Sequence, residues 1–188
     1  MKRIVIFASG SGTNAENLIK FFHNRDNASV IQVLCNNPHA KVLDRAKNLK
    51  VSALSFNRVA FTKTNDVLNI LKASNPDLIV LAGFLWKFPE HILNEFPNKV
   101  INIHPALLPK YGGKGMYGMH VHQAVVTNKE TETGITIHYV NEHYDEGAII
   151  FQTKCDVDPL DTAEDVASKI HELEMEHFPK VVNEILNQ

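Results

Sequence analysis

The sequence predicts an α/β fold: a mostly parallel sheet with helices on both faces and an antiparallel strand pair near the C-terminus. Three observations point there. Short apolar runs such as Ile4–Ala8 and Asp77–Ala82 have the length and composition of strands buried on both faces. They alternate with amphipathic segments of helical length, the rhythm of β-α-β units. After Tyr111 the rhythm changes to two strands joined by a short polar connection.

Taken in order, Ile4–Ala8 is the first strand and residues 14–24 its helix. Val30–Cys35 and a helix over 40–49 follow, then a weaker strand, Val51–Phe56. The spacing predicts a helix over 62–74, ended by Asn75-Pro76. Asp77–Ala82 is strand four, residues 88–95 a short helix and Lys99–His104 strand five. Tyr111–Tyr117 is Gly-rich and reads as a loop, and 118–128 as helical. Gly134–Val140 and Ala148–Asp156 are the antiparallel pair. A last helix runs from Thr162 to Leu186, capped by Asp161 or Thr162, with Glu164 and Asp165 in its first turn.

The chain has 188 residues, enough for one domain over 1–188 with a sizeable core. A net charge of −2, with Lys and Arg scattered, disfavours nucleic acid as a partner. No apolar stretch approaches the ~20 residues that span a bilayer, so no membrane role is expected. The N-terminus lacks the pattern of a signal peptide. The two cysteines, Cys35 and Cys155, have no metal-binding spacing and read as reduced thiols, which suits the cytoplasm.

Ser9-Gly10-Ser11-Gly12-Thr13-Asn14-Ala15 follows strand one and formally matches the Gly-x-Gly-x-x-Ala dinucleotide fingerprint. Strand two ends in Asn36-Asn37-Pro38, without the carboxylate that would hold a ribose, so no nicotinamide cofactor is expected. The turn still suits a phosphate monoester: two glycines allow close approach, and a helix N-terminus offers N–H groups. Gly12, Thr13 and Asn14 are the candidate donors. The same turn also suits a plain strand-to-helix connection.

Asn102 and His104 are two apart on strand five, so they share one face while Ile101 and Ile103 take the other. Pro105 marks the strand end, and the carboxyl edge of a parallel sheet is where ligand crevices form. Asp145 lies at the junction of the last two strands, in Tyr144-Asp145-Glu146-Gly147, by itself a turn motif. Amide, imidazole and carboxylate together suit acyl transfer from one bound substrate to the amine of another. The amide and a protonated imidazole would hold the oxyanion. The carboxylate would raise the imidazole pKa and move protons through a water. No Ser or Cys nucleophile is apparent, which favours direct transfer. Glu174 falls in an apolar helical stripe with Ile170, Phe178 and Val181, a costly place for a carboxylate unless it is partnered.

These residues resemble the glycinamide ribonucleotide formyltransferases, folate-dependent enzymes of purine synthesis. The resemblance spans the chain through Gly10-Ser11-Gly12-Thr13-Asn14, Leu81-Ala82-Gly83-Phe84, Asn102 to Tyr111, Asp145-Glu146-Gly147, and Glu174 with His177-Phe178-Pro179. It implies the Rossmann-like formyltransferase fold and formyl transfer from 10-formyltetrahydrofolate, a cosubstrate, to the amine of 5′-phosphoribosylglycinamide. It implies His104 as general acid, Asn102 as oxyanion donor and Asp145 as the group tuning the histidine. Gly12, Thr13 and Asn14 would hold the phosphate, and Ile103, Pro105, His171 and Glu174 the rest of the nucleotide. Leu85, Trp86, Lys87 and Phe88 would line the folate pocket with Asn102 and the loop Asn141, Glu142, His143, Tyr144 and Asp145. Lys63 would be the basic residue reaching the folate.

Small-molecule substrates, no metal, and a monomer or homodimer are the corresponding expectations. Two features depart from the family pattern: the longer loop Gly112–Gly118, a lid or an ordinary variant, and Met119-His120-Val121-His122 after it. His120 and His122 lack a third ligand for a metal, and His122 is a candidate for a supporting role. The alternatives are another formyltetrahydrofolate enzyme, such as the methionyl-tRNA formyltransferase, a deformylase or a sugar-nucleotide formyltransferase, and a non-catalytic nucleotide-binding α/β module. The tRNA enzyme would need a further domain and a basic surface, the deformylase a regulatory domain, and the module no Asn102, His104 and Asp145.

Overall fold

The structure, a computed structural model, describes residues 1–188. Seven strands form one sheet in the order β3-β2-β1-β4-β5-β6-β7. They are β1 (Lys2–Ala8), β2 (Ala28–Cys35), β3 (Ser52–Ser55), β4 (Leu78–Leu81), β5 (Val100–His104), β6 (Glu132–Tyr139) and β7 (Ile149–Asp156). β1 to β5 run parallel. β6 runs against both β5 and β7, so β7 returns to the direction of the parallel strands.

Strict side-chain alternation divides the core between the two faces. Ile4, Ile6 and Ala8 of β1, with Leu78 and Val80 of β4, join the larger cluster, which takes in helices α1 (Thr13–His23), α2 (Lys41–Asn48) and the terminal helix. Val5 and Phe7, with Ile79 and Leu81, join the smaller one on the opposite face. There Phe7 makes edge contacts with Phe56, Phe84 and Phe88 at centroid distances of 5.8, 5.3 and 5.2 Å, with Phe61 beside them.

The helix expected over 62–74 is two helices, α3 (Arg58–Thr62) and α4 (Asp66–Ser74). Asn57 caps α3 by accepting the Ala60 N–H at 2.9 Å, one turn before the expected start. The break falls at Lys63-Thr64-Asn65, where the Thr64 hydroxyl donates to Asp66. Such side chains compete with the helical hydrogen-bond pattern. α5 (Glu90–Leu93) and α6 (Met119–Thr127) follow, and α7 (Ala163–Leu186) closes the chain behind a Thr162–Asp165 capping box.

α7 contains Pro179, which has no N–H to give to the carbonyl four residues earlier. That carbonyl, of Met175, accepts instead from Asn17 Nδ2 of α1 at 2.9 Å. The adjacent residue, Glu174, accepts from Asn14 Nδ2 at 2.8 Å. A defect in one helix is therefore repaired by its neighbour, and the repair sets their register.

Thr136 of β6 fixes the segment leaving β5. Its hydroxyl is fully buried, donates to the Ala106 carbonyl at 2.6 Å and accepts the Leu108 N–H at 3.0 Å. Gln152 donates to it at 2.9 Å and to the Leu108 carbonyl at 3.0 Å. Thr136→Val keeps the shape and removes the polar partner, leaving a buried N–H and C=O unpaired. A destabilisation of about 1–3 kcal/mol in urea unfolding is expected, with a larger fractional loss of activity than Thr133→Val, a buried β6 change farther from His104.

Candidate active site

A crevice of about 770 Å³ opens at the carboxyl ends of β1, β4 and β5. Its walls come from the Gly10–Asn14 turn, residues 82–85 after β4, the end of β5, the loop 113–118, Tyr144 and Asp145, and the face of α7 bearing His171 and Glu174. This is the edge at which a parallel sheet binds ligands.

The glycine turn is held from three sides. Ser9 joins it to the turn after β4, through its N–H to the Gly83 carbonyl at 3.0 Å and its Oγ to the Leu85 N–H at 2.9 Å. Val42 donates its N–H to the Gly10 carbonyl at 3.2 Å, and Arg45 Nε donates to the Ser11 carbonyl at 2.9 Å. Gly12 has φ +78°, and a Cβ there would lie 2.4 Å from Val42 Cγ2, so only glycine fits. As the N-cap of α1 it brings no side-chain cap, and the first-turn N–H groups are left for a ligand.

Asn102 and His104 do share a face, opposite Ile101 and Ile103 in the larger core cluster. Antiparallel pairing sets His138 of β6 directly across from Asn102. Asp145, at φ +57°, points its carboxylate into this group. Its Oδ2 accepts the Gly113 N–H at 2.9 Å and lies 3.5 Å from His104 Nδ1. Its Oδ1 lies 3.4 Å from Asn102 Nδ2 and 3.5 Å from His138 Nε2. His104 Nε2 is 2.7 Å from the Tyr111 carbonyl, so that nitrogen carries a proton and Nδ1 is the exchangeable position beside Asp145. By the same logic His138 donates from Nδ1 to the Tyr139 carbonyl at 2.8 Å and accepts from Asn102 Nδ2 at 3.2 Å.

Two of these groups rest in states that differ from the roles expected of them during reaction. Burial pushes the His104 pKa below its ordinary value of 6.5; Asp145 and the Tyr111 carbonyl oppose this without prevailing, and nearby His138 adds to the depression. The surroundings of the resting imidazole thus favour its neutral form. Asn102 is not a free amide donor either: both its N–H groups are directed at His138 and Asp145, the 3.4 Å contact to Asp145 being the easier to release. Asp145 stays ionised. Burial acts to raise its pKa, but the influence of His138, that of His104, which bears a charge only at acid pH, and the Gly113 N–H together hold it below 3.8.

Glu174 is 15% exposed, and burial raises its pKa to about 7 against the lowering effect of Asn14. His171 Nδ1 lies 3.9 Å from it. Asn14 Oδ1 is buried with no partner, leaving an acceptor beside a carboxyl that can hold a proton. Thr13, Ile103 and Pro105 line the same crevice.

The expected folate wall is only partly in place. Leu85 is exposed at the crevice edge, joined by Phe84, which sequence reasoning missed. Trp86 is half-buried in the aromatic cluster and Lys87 is exposed. Phe88 is 3% exposed and belongs to the core, because it packs against Phe7, Phe61 and Phe84. Of the 141–145 loop only Tyr144 and Asp145 reach the crevice; Asn141 accepts the His143 N–H in a turn, and Glu142 and His143 face solvent. Lys63 is exposed beyond α3 and does not line the crevice; the cation against Trp86 is Arg58, 5.5 Å from its ring.

His138 was equally unmarked, although Ile135-Thr136-Ile137-His138 alternates and sets Thr136 and His138 on one strand face. His120 stacks edge-on against Tyr117 in solvent while His122 is buried in the crevice wall, so the two diverge.

Removing the Asp145 charge takes away the largest influence that raises the His104 pKa. Asp145→Asn should move the His104 titration, followed by NMR of the ring Cε1–H, further down in pH; an upward shift would contradict the assigned balance. For Glu174 the folded-state pKa lies above the unfolded value, so the folded protein binds the extra proton between about 4.5 and 7 and stability falls as pH rises through that window. Glu174→Gln should abolish the slope, gaining on the order of 2 kcal/mol relative to wild type between pH ~5 and ~8 in chemical unfolding.

Residues 2–182 match the formyl transferase family. The chain is 33% identical over 193 residues to the phosphoribosylglycinamide formyltransferase of Bacillus subtilis, covering 99% of this chain and 95% of that one. It is 35% identical over 187 residues to the enzyme of that name from Haemophilus influenzae, covering 97% and 86%. Among solved structures, glycinamide ribonucleotide transformylase 1 from Geobacillus kaustophilus superposes with a TM-score of 0.90 at 33% identity, covering 99% of both chains. With its fold, its crevice and these likenesses in register over nearly its whole length, the chain belongs to the formyl transferase family, in the branch of the phosphoribosylglycinamide formyltransferases.

Proposed function

We propose that the chain transfers the formyl group of 10-formyltetrahydrofolate to the amine of 5′-phosphoribosylglycinamide, a step of purine synthesis, as a single 1–188 unit acting on small molecules in the cytoplasm. Its relatives are named phosphoribosylglycinamide formyltransferases. The observation that carries the residue roles is convergence: a buried His104 with the partly buried Asn102 and Asp145 shares one crevice with an uncapped helix N-terminus and a protonatable Glu174.

The phosphate would sit at Gly12, Thr13 and Asn14. Glu174 and the unpartnered Asn14 Oδ1 would take the ribose hydroxyls, His171 flanking them, with Ile103 and Pro105 under the glycinamide. Leu85, Phe84 and Tyr144 would border the folate. As the amine bonds to the formyl carbon, Asn102 would release Asp145 and donate to the developing oxyanion. His104 would accept the amine's proton at Nδ1 and return it to the folate nitrogen as the C–N bond breaks. Asp145 would steady the transient imidazolium. A neutral resting His104 suits this shuttle, since it must first accept a proton. The free thiols Cys35 and Cys155 fit a reducing compartment.

Purified protein should release tetrahydrofolate only with phosphoribosylglycinamide present, followed by absorbance. Equal release without it would identify a deformylase, and none with it would refute the proposal. His104→Ala should lower kcat about 10²–10⁴-fold, the usual range for loss of a positioned acid–base group, with nucleotide binding little changed by calorimetry.

A further inference from the structure

We propose that Lys114, on the long loop after β5, is the cation that recognises the phosphate of the nucleotide substrate. The inference rests on the formyl-transfer reading for the identity of that nucleotide.

Lys114 is the only Lys or Arg among the residues lining the crevice. It makes no ion pair or hydrogen bond within the protein, whereas most other basic side chains near the site are occupied. Arg45, beside the glycine turn, is bound to Glu16 and to the Ser11 carbonyl. Lys110, at the root of the loop, is paired with Glu130 at 3.1 Å. His171, also in the crevice, faces Glu174 at 3.9 Å. Burial disfavours the imidazolium of His104 and of His122; His138 further lowers the first and His104 the second. The Asp145 carboxylate is already surrounded by His138, His104, Asn102 and the Gly113 N–H. A phosphate dianion at an uncapped helix N-terminus still calls for a counter-charge, and Lys114 is the free one.

The loop is not loosely attached. The Tyr111 carbonyl accepts from His104, and the N–H of Gly113, next to Lys114, donates to Asp145. At Gly112 a Cβ would stand 3.3 Å from Asp145 Cβ and 2.6 Å from Leu108 Cδ2, so backbone itself packs against the carboxylate. The root of the loop is thus fixed at the reacting end of the crevice, and Lys114 is carried from there into the lining of the same crevice as the glycine turn.

The test compares phosphoribosylglycinamide with its unphosphorylated riboside in wild type, Lys114→Ala and Lys114→Arg. The expected result is a roughly tenfold fall in the ratio of kcat/KM for the two substrates in the alanine variant, about 1.4 kcal/mol, restored by arginine. Equal losses on both substrates would mean the loop merely holds the site together and would overturn the proposal, as would an unchanged ratio. Calorimetric titration with ribose 5-phosphate reads the same contact without catalysis. If wild type binds it and Lys114→Ala binds equally well, Lys114 is not the phosphate ligand. If wild type shows no formyl transfer yet loses ribose 5-phosphate affinity on Lys114→Ala, the formyl-transfer reading fails while this one stands.

Discussion

A single, largely enclosed carboxylate organises the reacting end of this molecule. Asp145 is ionised in a place that penalises charge, so the structure has to surround it with polar partners. β5 brings Asn102 and His104, β6 brings His138, and the loop after β5 brings a backbone N–H. They come from three elements, so the sheet register, the Thr136 clamp on the 106–108 segment and the loop must all be right together. Burying a charge without such partners would cost several kcal/mol. The same arrangement explains why the neutral form of His104 is favoured: the water-poor surroundings that focus Asp145 on it also oppose its own charge.

The two faces of the sheet carry different duties. One buries α1, α2 and α7 in the larger cluster, and this packing holds the glycine turn and Glu174 in fixed relation. The other is dominated by aromatic rings around Phe7, which run out to the crevice rim through Phe84. A rim grown from a rigid aromatic cluster suits a flat apolar ligand, because its shape is already set before binding.

Much of this was legible in the sequence, and the failures have physical causes. The parallel strands announced themselves as apolar runs because both their faces are covered. Asn102 with His104 was readable because a strand has a period of two. Long-range facts were not. His138 becomes a partner of Asn102 only through the β5–β6 register, which no local pattern states. The resemblance put Phe88 in the pocket wall, whereas its ring packs inward against Phe7, a direction that the local sequence does not state. The helix break at 63–65 turned on side-chain capping by Asn57 and Thr64, weak signals against a helical apolar period. The direction of the His104 shift depended on how much burial outweighs one carboxylate, a balance of magnitudes that only the packed structure supplies.

Pro179 carries a consequence beyond its own helix. A proline releases the carbonyl four places before it, and here that carbonyl docks on Asn17 while the preceding residue, Glu174, docks on Asn14. Asn14 and Asn17 stand one turn apart on α1. The five-residue interval from Glu174 to Pro179 is therefore a ruler cut to the helix's own hydrogen-bond step plus one. Inserting a single residue between them would turn the carboxylate about 100° around the helix axis relative to the freed carbonyl, and one of the two docking points would be lost. A sequence spacing that looks like a family signature is, in this molecule, a measured length: it converts a missing N–H into the position of an acid.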